Sequence, residues 1–202
     1  MIQNNPELFE LSMSEKTQPL MDLVKHHCEE NIKPIQAEYS ALQNEKEDRW
    51  SWHPRQIELM EGAKDKAREL GLWNFFLPDP DGNIGDGLTN LDYTYVATKI
   101  GKYPLASESM NCSAPDTGNM EVLERVGTEE QKKQWLEPLL NGEIRSAYAM
   151  TEPNLASSDA KNISTSAVLD GDEWVINGEK FYISGAGDPR CKIMIVMVKT
   201  SP

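Results

Sequence analysis

Long apolar runs, a surplus of basic residues and a usable cysteine pattern are all missing from this sequence. No uninterrupted apolar stretch approaches the ~20 residues that a membrane-spanning helix needs, so no span is expected. The opening residues, MIQNNPELFELSMSEK, have no basic region followed by an apolar block, so no secretory leader is expected either. Three cysteines, Cys28, Cys112 and Cys191, lie far apart with no C-x-x-C, which argues against a disulfide framework and a structural zinc site. Of the three histidines, His26 and His27 sit mid-helix, and no metal site is expected there. Lys and Arg number 20 against 33 Asp and Glu, a formal net charge of −13. Nucleic acids and anionic membranes need a basic footprint, so neither is an expected partner. An anionic ligand stays possible, because local backbone N–H groups can outweigh net charge. These absences together point to a reducing, intracellular compartment.

What is present is an ordinary soluble composition, 39% hydrophobic and 26% charged over 202 residues, enough for one large domain or two small ones. Up to about residue 142 the spacing is helical. Ser14 is a candidate cap for a helix with Leu20, Leu23, Val24, His27 and Cys28 on one face. Ile32 and Ile35 continue it past a break near Pro34. WHPRQIELMEGAKDKARELGLW predicts a second helix. Pro54 follows His53 in its first turn, Ile57, Met60, Ala63, Ala67 and Leu70 form its stripe, and Gly71 ends it. LPDPDGNIGDG reads as a loop. Further helices are expected from about Leu88 to Ile100, after Pro104, from an Asp116 cap through Val126, and from a Thr128 cap to Gly142.

From about residue 143 the pattern turns to strands. IRSAYAMT is one candidate, and NISTSAVLD is another that ends at a Gly171-Asp172 turn. EWVINGEKFYISG reads as two short runs joined in a hairpin at Asn177-Gly178. CKIMIVMVKT reads as a buried apolar strand, with its methionines and Met150 as core material. The expected organisation is an all-α domain over 1–142 and the beginning of a β domain over 143–202, with an open edge. The tryptophans read as core or interface anchors and NEKEDRW as a solvated face.

Two segments carry candidate chemistry. In AYAMTEPNLASSD, Thr151 follows a strand, Pro153 ends ladder donation, and short polar side chains follow. Such a turn can offer successive N–H groups and hydroxyls to ligand oxygens, or it can simply be a capped turn. In FYISGAGDPRCK, Ser184, Gly185 and Gly187 allow close backbone approach, but the full G-x-G-x-x-G is absent. A triad of Ser157, His53 and Asp159 is rejected, since Ser157 occupies no nucleophile elbow.

Taken together and in order, YAMTEPNLASSD, about twenty residues, then INGEKFYISGAGDPRCKI resemble the acyl-CoA dehydrogenase family. The helical stretch NCSAPDTGNMEVLERVGTEEQKKQWLEPLLNGEIRSAYAMTEP is similar to that family's passage into its first strand. APDTGNMEVL and SGAGDPRCK point to the branch called family members 10 and 11 in animals and their bacterial relatives. The resemblance implies an α+β multidomain fold: an N-terminal helical domain, a middle β-barrel and a C-terminal four-helix bundle. This chain would hold the first domain and about half of the second. It implies α,β-dehydrogenation of a fatty acyl-CoA, with FAD as cofactor and electron-transfer flavoprotein as acceptor. The complete enzyme would be a homodimer or homotetramer in a bacterial cytoplasm or an organellar matrix.

On that resemblance Tyr148, Met150 and Thr151 line the flavin, with Thr151 at its pyrimidine edge. Ser157 or Ser158 touches the flavin pyrophosphate and the substrate's pantetheine. Tyr182, Ile183 and Ser184 lie at the central ring. The glutamate base belongs to the family's C-terminal domain, so no catalytic residue is expected within these 202 positions, and the chain alone is expected to be inactive. Two departures stand out. TEPNLASSD is one residue longer than the family's common TEPGAGSD, so Ser157 and Ser158 compete for one role. Phe181-Tyr182 also stands where Trp is usual. A non-catalytic subunit docking on a full-length partner, or a related flavoprotein such as an acyl-CoA oxidase, are the alternatives.

Overall fold

The computed structural model describes residues 11–46, 48–77 and 87–201. The expected loop at 77–87 lies almost wholly outside these residues, as does most of the opening segment. By its internal contacts the described chain falls into two units: 11–46 with 52–113, and 48–51 with 114–201.

The first unit is helical. Helix α1 spans Thr17–His27, a π-helical turn covers Cys28–Ile32, and α2 spans Lys33–Leu42. The break expected near Pro34 is this π turn. It leaves Pro34 in the first turn of α2, where its missing N–H is least felt. The buried face of α1 is Thr17, Met21, Val24 and His27, continuing to Cys28 and Ile32. Leu23, assigned to that face by spacing, is exposed, because the face follows Thr17 and Met21 one turn around. Ser14 does not cap α1 by its side chain; the N-cap is Lys16, and the Ser14 carbonyl accepts from Thr17 N–H at 3.1 Å.

Helix α3 spans Pro54–Glu69. His53 caps it, its ring accepting from Arg55 N–H while Gln56 reaches back to His53 N–H. Its end is a Schellman motif. Gly71 has φ 72°, Leu72 N–H reaches Ala67 O at 2.8 Å, and Gly71 N–H reaches Arg68 O at 3.0 Å. Leu59, Met60, Ala63 and Ala67 are buried, whereas Ile57 is exposed. Helices α4, Asn90–Ile100, and α5, Ala106–Ser109, complete the unit. Asp92 joins α4 to the start of α1: one carboxylate oxygen accepts from Ser14 N–H and from Thr17 Oγ1, at 2.7 and 2.6 Å. The other oxygen accepts from Thr89 Oγ1 at 2.7 Å. These donors, the Thr17 hydroxyl foremost, hold the Asp92 carboxyl far below the usual range.

The second unit begins with α6, Asp116–Val126, followed by α7, Glu129–Gln131, a π turn at Lys132–Leu136, and α8, Glu137–Leu140. Thr128 caps α7 as expected, through a capping box with Gln131. Gly142, φ 72°, ends α8. Asp116 lies inside α6, not at its cap, and its carboxylate is used elsewhere. Strand β1, Arg145–Ala149, pairs in parallel with β4, Cys191–Val196. Strands β2, Ser166–Asp170, and β3, Glu173–Asn177, form an antiparallel hairpin.

The hairpin turns at Gly171-Asp172, and Asn177-Gly178 only ends β3. At Gly178 a Cβ would come within 2.7 Å of the Thr165 Cα. The glycine serves a close backbone approach, and that use overrides the local turn preference of Asn-Gly. β4 is not buried; Met194 is exposed and the other apolar residues of the strand are half-buried. Leu169, Trp174 and Ile176 share one face of the hairpin and are all exposed. Among the described residues no helix is long and apolar enough to cross a membrane.

Gly118 lies inside α6, where an added Cβ would meet nothing within 4 Å, so Gly118→Ala should raise stability by about 1 kcal/mol. Gly178→Ala should lower it by about 2 kcal/mol or more. Paired chemical denaturation curves check both. A further expectation concerns acid. His27 is buried, with Nε2 3.0 Å from Ser109 Oγ and Nδ1 3.2 Å from Asn31 Nδ2. Ser109 Oγ donates to Ala106 O, so it accepts from Nε2–H, and the neutral ring carries its proton there. Burial, with the neighbouring His26 charge, lowers the His27 pKa from 6.5 to about 4. The unfolded chain therefore binds the extra proton first. The stabilisation is complete above pH 6.5 and is lost as pH falls towards 4. His27→Gln should flatten that part of a stability-versus-pH curve.

Candidate functional site

The segments 145–152 and 178–184 come from different parts of the sequence, and two buried carboxylates fix them in the second unit. The first is Asp116. Its Oδ1 accepts from Ser146 N–H at 2.7 Å and from Ser146 Oγ at 2.6 Å, and its Oδ2 accepts from Arg145 Nε. Asn119, one turn later on α6, donates to Ser146 Oγ at 2.8 Å and to Ala147 O at 3.0 Å. The helix is thus tied to β1 just before Tyr148. The contact has a charge-assisted, fully partnered form, which is how a buried carboxylate becomes tolerable.

The second is Glu152, only 4% exposed. Its Oε2 accepts from Ser164 N–H and Oγ, both at 2.7 Å. Its Oε1 accepts from Thr165 N–H at 2.9 Å and from Lys180 Nζ at 2.8 Å. The Lys180 ammonium is the largest of several causes that hold the Glu152 carboxyl far below the usual range. Lys180 also donates to Met150 O at 3.0 Å, and Phe181 N–H donates to Thr151 O at 2.9 Å. Residues 180–181 therefore hold 150, 151 and 152 in succession.

The residues singled out from sequence fall as follows. Tyr148, Tyr182 and Ser184 line one cavity of about 240 Å³, together with Ala114 and Pro115. Tyr182 is 83% exposed with φ 52°, and its ring lies 3.9 Å from that of Phe181, centroid to centroid. Met150 and Ile183 are half-buried, and Thr151 is exposed without lining that cavity. Among the described residues, neither the N–H nor the hydroxyl of Thr151 or of Ser184 has a protein partner. Ser157 is buried, and its hydroxyl accepts from Glu152 N–H at 2.8 Å inside the turn; Ser158 is exposed. The glycine loop is backed by Trp50: a Cβ on Gly187 would meet its indole at 2.3 Å.

Sequence reasoning misses Glu152, Lys180, Asp116 and Arg145 as organisers. A glutamate before proline and a Glu-Lys pair look like solvated charge, and only their burial reveals the role. No group of metal-ligating side chains occurs among the described residues.

The arrangement can hold a flat, partly polar ligand against Tyr148 and Tyr182, with free N–H and O–H donors at hand. Asp116→Ala removes three charge-assisted bonds to β1, those to Ser146 N–H, Ser146 Oγ and Arg145 Nε. It should cost about 3 kcal/mol by chemical denaturation. Glu152→Gln should remove stability that is present above about pH 4.5 and lost in acid, since the folded-state carboxyl is depressed. The variant's curve should run flatter below that pH.

Comparison with known proteins identifies the family. The family model "Acyl-CoA dehydrogenase, N-terminal domain" matches residues 14–143, and "Acyl-CoA dehydrogenase, middle domain" matches 147–202. The chain is 48% identical over 193 residues to mouse acyl-CoA dehydrogenase family member 10, covering 94% of this chain and 18% of that protein. It is 54% identical over 145 residues to probable acyl-CoA dehydrogenase FadE2 of Mycobacterium tuberculosis, covering 71% and 34%. A Mycobacterium abscessus structure provisionally assigned as an acyl-CoA dehydrogenase superposes with TM-score 0.85 at 43% identity, over 95% of this chain and 47% of that one. A glutaryl-CoA dehydrogenase from Mycobacterium smegmatis in complex with FADH2 shares the fold, with TM-score 0.66 at 22% identity over 96% and 46%. The chain spans about a third or less of the length of these two curated relatives. With both domain models matched in order over most of its length, the chain belongs to the acyl-CoA dehydrogenase family.

Proposed function

We propose that this chain supplies the helical part, residues 1–142, and one wall of the flavin site, within 143–202, of an FAD-dependent dehydrogenase of fatty acyl-CoA thioesters. The observation that carries this reading is the juxtaposition of the two loops. Tyr148, Tyr182 and Ser184 line one cavity, and the donors of Ser184 there, like those of Thr151 outside its lining, have no protein partner among the described residues. A planar heterocycle with acceptor atoms along one edge fits that chemistry. The FADH2-containing relative of the same fold supports the identity of the cofactor.

When bound, FAD supplies a two-electron oxidant that the protein itself lacks. The residues of this chain would hold and orient it. Thr151 N–H and Oγ1 would serve as donors to its pyrimidine edge. Ser184 Oγ would serve as a donor to its central ring, and Tyr148, Met150, Tyr182 and Ile183 would exclude water from its face. Of the two competing serines, exposure favours Ser158 for the pyrophosphate and pantetheine, because the Ser157 hydroxyl already accepts from Glu152 N–H. The base that removes the substrate α-proton comes from polypeptide outside these 202 residues, and the chain alone is inactive. An electron-transfer flavoprotein accepts the electrons. A structure described as the electron transferring flavoprotein of Acidaminococcus fermentans has the same fold, with TM-score 0.56. The complete enzyme is a homo-oligomer of the bacterial cytoplasm or an organellar matrix.

The test is titration of purified residues 1–202 with FAD. Amide resonances should shift at 148–151 and 182–184, and Thr151→Ala should weaken binding roughly tenfold. Dye-coupled oxidation of acyl-CoA should be absent. No flavin binding, or binding that shifts other residues, contradicts the site; full turnover by this chain contradicts its incompleteness.

A further inference from the structure

The buried Lys180 does something that simple adhesion between loops does not require. Its side chain is 11% exposed and that of Glu152 3% exposed, so both charges are largely out of water. Burying such a pair costs free energy, and a well-packed apolar pair of similar volume would often do as well or better for stability. The ammonium is not placed only on the carboxylate. It also donates to Met150 O at 3.0 Å. That carbonyl belongs to the same peptide unit as the N–H of Thr151. In a planar trans peptide the C=O and N–H point in opposite directions, so a cation on one end and a ligand at the other sit along one dipole. The cation polarises the peptide, and a polarised N–H is a stronger donor to negative charge. On the far side, Phe181 N–H engages Thr151 O, which fixes the next peptide as well. What remains outward and unpartnered among the described residues is the Thr151 N–H and its hydroxyl.

We infer that Lys180 is a positioning residue that orients and polarises the Met150–Thr151 peptide, so that Thr151 N–H binds the reduced, negatively charged flavin more tightly than the oxidised form, an inference that rests on the flavin reading of the site. Glu152 holds the ammonium at that carbonyl. Lys180 itself touches no flavin atom.

The experiment titrates the full 202-residue chain separately with oxidised FAD and with FAD kept reduced by dithionite, and compares the two affinities. Two variants remove the cation without leaving an unpaired buried charge. E152Q/K180M also removes the donor, and E152Q/K180Q keeps a neutral one. In E152Q/K180M the preference for reduced over oxidised flavin should fall about tenfold, the difference between a charge-assisted and an ordinary hydrogen bond. In E152Q/K180Q the fall should be smaller. A loss of packing alone would weaken both redox forms equally and leave the preference unchanged. An unchanged preference in either folded variant overturns the inference while the flavin site stands. If the wild-type chain binds neither form, the flavin reading itself fails and takes this inference with it.

Discussion

The second unit depends on one buried carboxylate. Glu152 follows β1, and its four accepted hydrogen bonds come from the start of the segment leading into β2 and from Lys180 beyond β3. Three stretches distant in sequence meet at two oxygen atoms. A buried carboxylate without such partners would be strongly unfavourable, so the arrangement is close to all-or-none: the loops come together with every donor in place or not at all. Local features then follow. Gly178 lies against Thr165 because both flank this centre, and the chain after β3 turns back towards Thr151 instead of forming a second hairpin arm.

The same device recurs elsewhere in the molecule. Asp116 fastens α6 to β1, and Asp92 fastens α4 to the start of α1. Each carboxylate reaches backbone N–H groups as well as side chains, so each fixes main-chain position and not merely side-chain proximity. The strong negative net charge of the sequence therefore says little about these three acids. They act inside the fold, while most of the other acids among the described residues face solvent.

Some of this is legible in the sequence and the rest is hidden. Thr128 before Glu-Glu, and glycines at 71 and 142 after apolar stripes, mark helix ends by local stereochemistry, and the helices end there. The two loop motifs are recognisable as a pair by resemblance, and the fold class follows. Asn177-Gly178 misleads, because the local turn preference competes with a tertiary contact at Thr165 that no short-range pattern encodes. The apolar run 191–200 suggests burial that the fold does not deliver, because hydrophobicity marks a strand but not what covers it. Glu152 and Lys180 stay hidden, since charge in a turn usually means solvent. Of the candidate ligand residues, Tyr148, Tyr182 and Ser184 converge on one cavity, while Ser157 is engaged within its own turn.

The proposed flavin site thus rests on a short turn with spare donors at Thr151. A crystal structure of the 202-residue chain grown with FAD tests that most directly. The isoalloxazine ring is expected beside Tyr148, Tyr182 and Ser184, with its pyrimidine edge within hydrogen-bond distance of Thr151. Flavin bound elsewhere on the chain, or bound with Thr151 turned to solvent, would contradict it.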